Sequence, residues 1–235
     1  QSTAKISTKD NKSEFEISSS IMSLLKIKKG DLGDLEIIIS SVVPNKTQVV
    51  VKASKLINSK DPIVVNHDFE FPIINKYNPP EDVGIDRIVD SIAATMLYGA
   101  PCVILDIGTC LVFNGVSSKK EYLGGSILPG LTMAADILAN STALLKPVEL
   151  KIPKNLIGKN TNESIQSGII FGYIELIKGI FEKYKKSISE DHKTPLIITG
   201  GAAELIIPNL DIKHEYNEHL SFIGLKYIYE LQKST

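Results

Sequence analysis

Residues 103–115 read VILDIGTCLVFNG, two apolar runs with an acid, Asp106, set between them. Each run has the length and branched side chains of a buried strand, so the stretch predicts two strands joined at a bend. An unpaired buried charge is strongly unfavourable, so Asp106 must be exposed, paired or coordinating a cation. Gly108 and Thr109 follow it, where a tight bend lets backbone and hydroxyl approach a ligand. Turns favour these same residue types, so a plain β-hairpin closed by Asp-Ile-Gly-Thr reads the stretch equally well.

Working outward, strands 102–107 and 110–116 continue through a turn at Ser117–Lys120 into a strand at 121–127, making a meander. Before it, GIDRIVDSIAATMLY (84–98) carries an apolar stripe of Ile88, Val89, Ile92, Ala93 and Met96, and Gly99 and Pro101 stop that helix. Further upstream the spacing predicts a helix over 13–26 with Gly30 after its end. LEIIISSVV (35–43) reads as a buried strand closed by Pro44, then comes a helix over 45–58 and a short strand at 62–66, a βαβ unit. Downstream, Pro129 and Gly130 lead into a helix over about 131–145. The longest helix covers 160–186, with Asn160 as N-cap and Glu163 three residues on. Gly168 and Gly172 on it would let another backbone pack closely. PLIITGGAAELI (195–206) is a strand ending in Gly200-Gly201 and then a short helix; a last helix covers about 218–232.

Composition narrows the function. The 235 residues are 43% hydrophobic and 23% charged, a balance that builds a proper core. The net charge of −1 gives no overall field for nucleic acid or anionic membranes, and Glu175 and Lys178 break the longest apolar run at 165–181, so neither partner is expected. Cys102 and Cys110 read as reduced thiols of a cytosolic protein. His67, His192, His214 and His219 are scattered, and the last two, beside Glu215 and Glu218, fit a solvated segment better than a metal site. Of 26 basic residues only Arg87 is an arginine. It is either a chance surface residue or one kept for a task that needs a flat, multi-donor cation, such as holding a carboxylate or phosphate.

Two acids fall at comparable places, Asp86 near a helix start and Asp106 at the end of the following strand. Dipole stabilisation alone accounts for an acid like Asp86. The glycine turns Gly108-Thr109 and Gly200-Gly201 are weak signals singly. Together they suggest a nucleotide site built across a cleft between two α/β halves.

GIDR (84–87), DIGT (106–109), YLGGSILPG (122–130), IGKNTNESIQSGIIFGY (157–173) and ITGG (198–201), with ISSVVP (39–44) and KYNP (76–79), resemble in order the motifs of type III pantothenate kinases. That family belongs to the actin, sugar-kinase and heat-shock ATPase superfamily. The resemblance implies an α/β fold of two actin-like (ribonuclease H-like) halves, here 1–83 and 84–235, with a nucleotide cleft between them. It implies ATP-dependent phosphorylation of pantothenate to 4'-phosphopantothenate, the first step of coenzyme A biosynthesis. Asp86 would be the base facing the pantothenate hydroxyl; Gly84, Ile85, Asp86 and Arg87 would bind pantothenate, with Tyr77 and Thr161. Gly108 and Thr109 would contact ATP, and Asp106 would hold a monovalent cation, K+ or NH4+, alongside Mg2+. A cytoplasmic homodimer is implied as well.

Two departures accompany the resemblance. Members open with a strand and an Asp-x-Gly-Asn-Thr phosphate loop, whereas this chain begins QSTAKIST without methionine. The expectation is a native segment of about 25 residues before Gln1 that carries this loop and the first strands, since phosphoryl transfer on this fold needs donors from two loops. Asn114 stands where members often carry a second acid. The rival readings are a non-catalytic regulatory relative, as Bvg accessory factors were first described, and a phosphotransferase with another acceptor.

Overall fold

A computed structural model describes residues 3, 12–26, 35–58, 60–189 and 193–234. The helix stop expected at Gly30, His192 and most of QSTAKIST lie outside these residues. The described residues fall into two compact units, the first from within Gln1–Glu70, Gly84–Asp86 and Leu225–Thr235, the second from within Phe71–Val83 and Arg87–Gly224.

In the first unit, α1 (Glu14–Leu25) starts with a reciprocal cap: Ser13 Oγ accepts from Glu16 N, and the Glu16 carboxylate accepts from Ser13 N at 2.8 Å. The helix ends on Lys26, whose backbone adopts a left-handed turn. β1 (Ile38–Ile39), α2 (Pro44–Ile57) and β2 (Ile63–Val64) form the expected βαβ unit, with Ile38 beside Ile63 and Ile39 beside Val64 in parallel. β1 is far shorter than the strand expected over 35–43. Ser41 Oγ accepts from Val43 N at 3.3 Å and from Thr47 Oγ1 at 2.7 Å, which turns the chain into α2 before the ladder can extend. Pro44, with no N–H to give a ladder, suits the first turn of the helix instead.

The second unit is built on a six-stranded sheet, β3 (Ile74–Asn75), β4 (Cys102–Ile107), β5 (Cys110–Val116), β6 (Glu121–Pro129), β7 (Leu196–Thr199) and β8 (Glu215–Tyr216), in the order β3-β6-β5-β4-β7-β8. The meander supplies the antiparallel pairs β4–β5 and β5–β6, while β3, β7 and β8 join in parallel. Strand alternation sends Val103, Leu105, Ile107, Leu111 and Phe113 to one face, under α5 (Thr161–Ile188) and α4 (Leu131–Ser141). Cys102, Ile104 and Val116 face the other way, where Ala93 and Ala94 of α3 (Ile85–Tyr98) and Leu220 of α6 (Leu220–Ser234) cover them. Burial there pushes the Cys102 thiol up to about 12, so it stays protonated and inert.

Two expectations are corrected here, and two strands not read from the sequence are added. The segment after Gly200-Gly201 forms two short 3-10 turns, Ala203–Leu205 and Ile207–Asn209, because Pro208 cannot continue a helix. β3 and β8, two residues each, carried no pattern long enough to read. Gly168 and Gly172 face open space: a Cβ on either would meet no heavy atom of the described residues within 4 Å. The close backbone approach lies at Gly224 of α6, where a Cβ would sit 2.2 Å from the Val89 carbonyl oxygen of α3. The same contact is locked by Ser221 Oγ donating to the buried Asp90 carboxylate at 2.6 Å.

These surroundings give two alanine substitutions opposite signs. Gly224→Ala must push α6 off α3 and should cost about 1–3 kcal/mol. Gly168→Ala only stiffens an exposed helical position and should stabilise by about 0.5–1 kcal/mol. Urea unfolding of both variants measures the difference; equal effects would mean that α6 does not rest on α3 through Gly224.

Candidate functional site

Asp106 is the penultimate residue of β4, opposite Val112 of β5 and Thr199 of β7. It sits at the carboxyl end of the parallel β4–β7 pair, where both strands turn away. The hairpin reading of DIGT holds: Gly108 N donates to Cys110 O at 3.0 Å. The second glycine turn folds over the same strand end, with Ala202 N donating to Ile107 O at 2.9 Å. The Asp106 carboxylate is half-buried between the two turns. A Cβ on Gly200 would lie 2.4 Å from Asp106 Oδ1, and Gly200 has φ +99, so only glycine serves there. On Gly108 a Cβ would stand 3.4 Å from that oxygen.

The start of α4 packs onto the same turn. Gly130 N donates to Thr109 O at 3.0 Å, and a Cβ on Gly130 would fall 2.3 Å from that carbonyl oxygen and 2.4 Å from that of Gly108. Tyr173 of α5 fixes this corner by donating its hydroxyl to Pro129 O at 2.7 Å. Thr109 is left exposed at the tip of the hairpin. Among the described residues no group of three or more His, Cys, Asp or Glu could hold a metal ion.

The sole arginine is no surface residue. Arg87, 9% exposed, donates from Nε to Asn114 Oδ1 at 2.8 Å, and that oxygen also accepts from the Tyr122 hydroxyl at 2.9 Å. Asn114 is 1% exposed and lies across from Ile104 and Gly125 on the face that α3 covers. The guanidinium carbon stands 5.6 Å from the Tyr77 ring centre and 5.8 Å from that of Tyr122. Strand β6 leaves room by carrying Gly125, whose Cβ would fall 2.5 Å from an Arg87 terminal nitrogen. Gly124, at φ +107, brings β6 against the Tyr77 ring, itself half-buried after Asn75 Oδ1 accepts from Tyr77 N at 3.0 Å. Asn114, read from sequence as a missing acid, is therefore the acceptor that orients Arg87.

The remaining predicted residues are placed as follows. Ile85 is buried and Asp86 exposed at the start of α3, and Gly84 leaves room for the acid, since a Cβ there would sit 2.5 Å from Asp86 Oδ1. Thr161 opens α5 and is exposed; it makes none of the contacts described for Arg87 or Asp106. The turn before it is shaped by Asn160, which caps Glu163 N at 3.0 Å, and by Glu163, whose carboxylate accepts from Lys159 N at 2.9 Å. Sequence reasoning thus brought Arg87 and Tyr77 into one contact set and Asp106, Gly108 and Thr109 into another. It missed Asn114 as a partner of Arg87, together with Tyr122, Gly125 and Gly130; a glycine within a strand or just after it was the one local signal available for the last two.

Comparison with known proteins follows the geometry. Residues 1–183 match the family model described as type III pantothenate kinase. A type III pantothenate kinase from Persephonella marina is 40% identical over 212 residues, 90% of this chain and 81% of that protein. One from Finegoldia magna is 37% identical over 235 residues, 98% of this chain and 88% of that protein. Among solved structures, a Campylobacter jejuni protein described as a Baf family transcriptional activator superposes with a TM-score of 0.59 at 23% identity, covering 92% of this chain and 89% of that one. At that identity the likeness speaks for the fold alone, and it bears out the α/β class.

The Arg87 contacts make Asn114 testable. Asn114→Leu strips the acceptor from a buried cation and a buried phenol and should cost about 3–5 kcal/mol. Asn114→Asp keeps the oxygen and should lose less than about 1 kcal/mol, because the new carboxylate faces a guanidinium. Urea midpoints compare the two; equal losses would show that the acceptor oxygen is not what matters.

Proposed function

Because the chain belongs to the type III pantothenate kinase family, we propose that it transfers a phosphoryl group from ATP to the hydroxyl of pantothenate, giving 4'-phosphopantothenate for coenzyme A synthesis. The observation that carries the reading is the fixed Arg87 guanidinium, held by Asn114 and two tyrosine rings in a chain whose every other basic residue is lysine. A planar fork of this kind suits the carboxylate of pantothenate. Tyr77 completes that end, and Gly84, Ile85, Asp86 and Thr161 take the rest of the acceptor.

Phosphoryl transfer demands positioning and charge stabilisation more than covalent chemistry. Asp86, exposed and given room by Gly84, receives the hydroxyl proton as the oxygen attacks the phosphorus, while its main task is to aim that oxygen. Gly108 and Thr109 offer backbone and hydroxyl donors to the phosphates of ATP, whose Mg2+ travels with the nucleotide. Asp106 would hold a potassium or ammonium ion. Gly108 and Gly200 put no side chain of their own against its carboxylate, and an oxygen donor of this kind suits a hard monovalent cation. The ion would supply positive charge near the phosphates.

The functional division at 83/84 places the acceptor residues of GIDR at the head of the second half. Self-association as a homodimer is favoured by the exposed apolar side chains Leu144, Leu156 and Ile157. No described helix is long and apolar enough to cross a membrane, and we place the enzyme in the cytoplasm.

Steady-state kinetics with both substrates test the reading. Asp86→Asn should lower kcat by roughly 10²–10⁴ while pantothenate still binds. Arg87→Lys should raise the KM for pantothenate more than that for ATP, because it keeps the charge and loses the fork. A wild-type chain that leaves pantothenate unphosphorylated would return the protein to the regulatory reading.

The cation has its own experiment. Titrating potassium into the wild-type protein should raise activity to a plateau, and Asp106→Asn should weaken that activation and ATP binding together. Activity indifferent to monovalent cations would leave Asp106 as a turn residue only.

A further inference from the structure

Only the start of β6 has a strand on its outer side: β3 pairs Ile74 with Glu121 and Asn75 with Tyr122, and among the described residues no strand continues that pairing. From Leu123 to Pro129 the ladder runs to β5 alone. Two tyrosines of α5 tie this stretch from the side. Tyr184 shares a hydrogen bond of 2.8 Å with Ser126 Oγ, and Tyr173 donates to Pro129 O at 2.7 Å. Their helix is a firm anchor, because its Ile165, Ile169, Ile170 and Ile174 are buried in the core under the sheet. Desolvation raises the Tyr173 phenol above its ordinary range, so it remains a donor at neutral pH.

The two ties end in different places. Ser126 lies within the strand, opposite Phe113. Pro129 is the last residue of β6, opposite Cys110, and the next residue, Gly130, donates to Thr109 O at 3.0 Å. The carbonyl oxygens of Gly108 and Thr109 press on Gly130 so closely that a Cβ there would stand 2.4 and 2.3 Å from them. A turn packed this tightly on one residue shifts when that residue shifts. We infer that Tyr173 is a positioning residue for the Gly108-Thr109 turn, its hydroxyl fixing the end of β6 on which the turn rests. The inference depends on the reading of this turn as a contact for the phosphates of ATP. A donor moved out of line loses much of its bond to a bound phosphate, so the tie to Pro129 is felt in ATP affinity.

Calorimetry of the full chain with MgATP in potassium buffer, without pantothenate, reads the turn directly. Tyr173→Phe deletes only the hydroxyl and should weaken ATP binding about two- to tenfold, the reach of one neutral hydrogen bond. It should also shift the Gly130 and Thr109 amides of the free protein in NMR spectra and leave the KM for pantothenate unchanged. Tyr184→Phe removes the sister tie; both Phe variants should melt about 2–4 °C lower than the wild type, but Tyr184→Phe should keep full ATP affinity. Thr109→Val, which strips the hydroxyl from the turn itself, tests the underlying reading. If Thr109→Val weakens ATP binding and Tyr173→Phe does not, the inference fails and that reading stands. If both variants bind ATP as the wild type does, or the wild type binds none, the reading and the inference fall together. Equal losses of ATP affinity from Tyr173→Phe and Tyr184→Phe, or unmoved Gly130 and Thr109 amides, would make Tyr173 a structural tie alone and overturn the inference.

Discussion

Burying a guanidinium is the constraint around which much of the second unit is arranged. A permanent cation cannot shed its charge to escape desolvation, so the fold must answer it with acceptors and aromatic faces. Asn114 gives one oxygen to two donors, Arg87 Nε and the Tyr122 hydroxyl. That arrangement requires β5 to present an amide at a nearly closed position, β6 to present a tyrosine two residue pairs along the shared ladder, and Gly125 to stand aside. It also draws the segment before α3 inward, because the Tyr77 ring stands by the cation next to that of Tyr122. Four residues from three stretches of chain are thereby committed to one side chain.

The second organising feature is the place of β4 between an antiparallel and a parallel neighbour. The hairpin partner sends the chain straight back, while β7 arrives by a long crossover through α4 and α5. Their turns consequently converge on one strand end from opposite sides, and Asp106 lies between them. An acid in an apolar segment is tolerable there because the strand end is half-open to water. The same glycines that make the bends also keep side chains out of the space around its carboxylate.

Much of this was legible in the sequence. The meander, the βαβ unit and the Asn160 cap of α5 are written locally, in alternation, turn residues and a capping pair a few positions apart. What escaped reading is non-local. Asn114 meets Arg87 from 27 positions away, and Ser221 meets Asp90 from 131, distances at which no periodicity carries information. Glycines mislead for the same reason: Gly168 and Gly224 look alike in a helix, and only the packing partner distinguishes an open position from a crowded one. Strands as short as β3 and β8 borrow their conformation from the neighbour they pair with, not from their own residues.

The first unit is assembled from three separated stretches, and its last one comes from the final turns of α6. Lys233 there forms an ion pair with Glu36, just ahead of β1. During synthesis the ribosome releases almost all of the second unit's residues before those of 225–235 emerge. The ion pair to Glu36 therefore forms only after the second unit has been made, although domains usually fold in the order they are made.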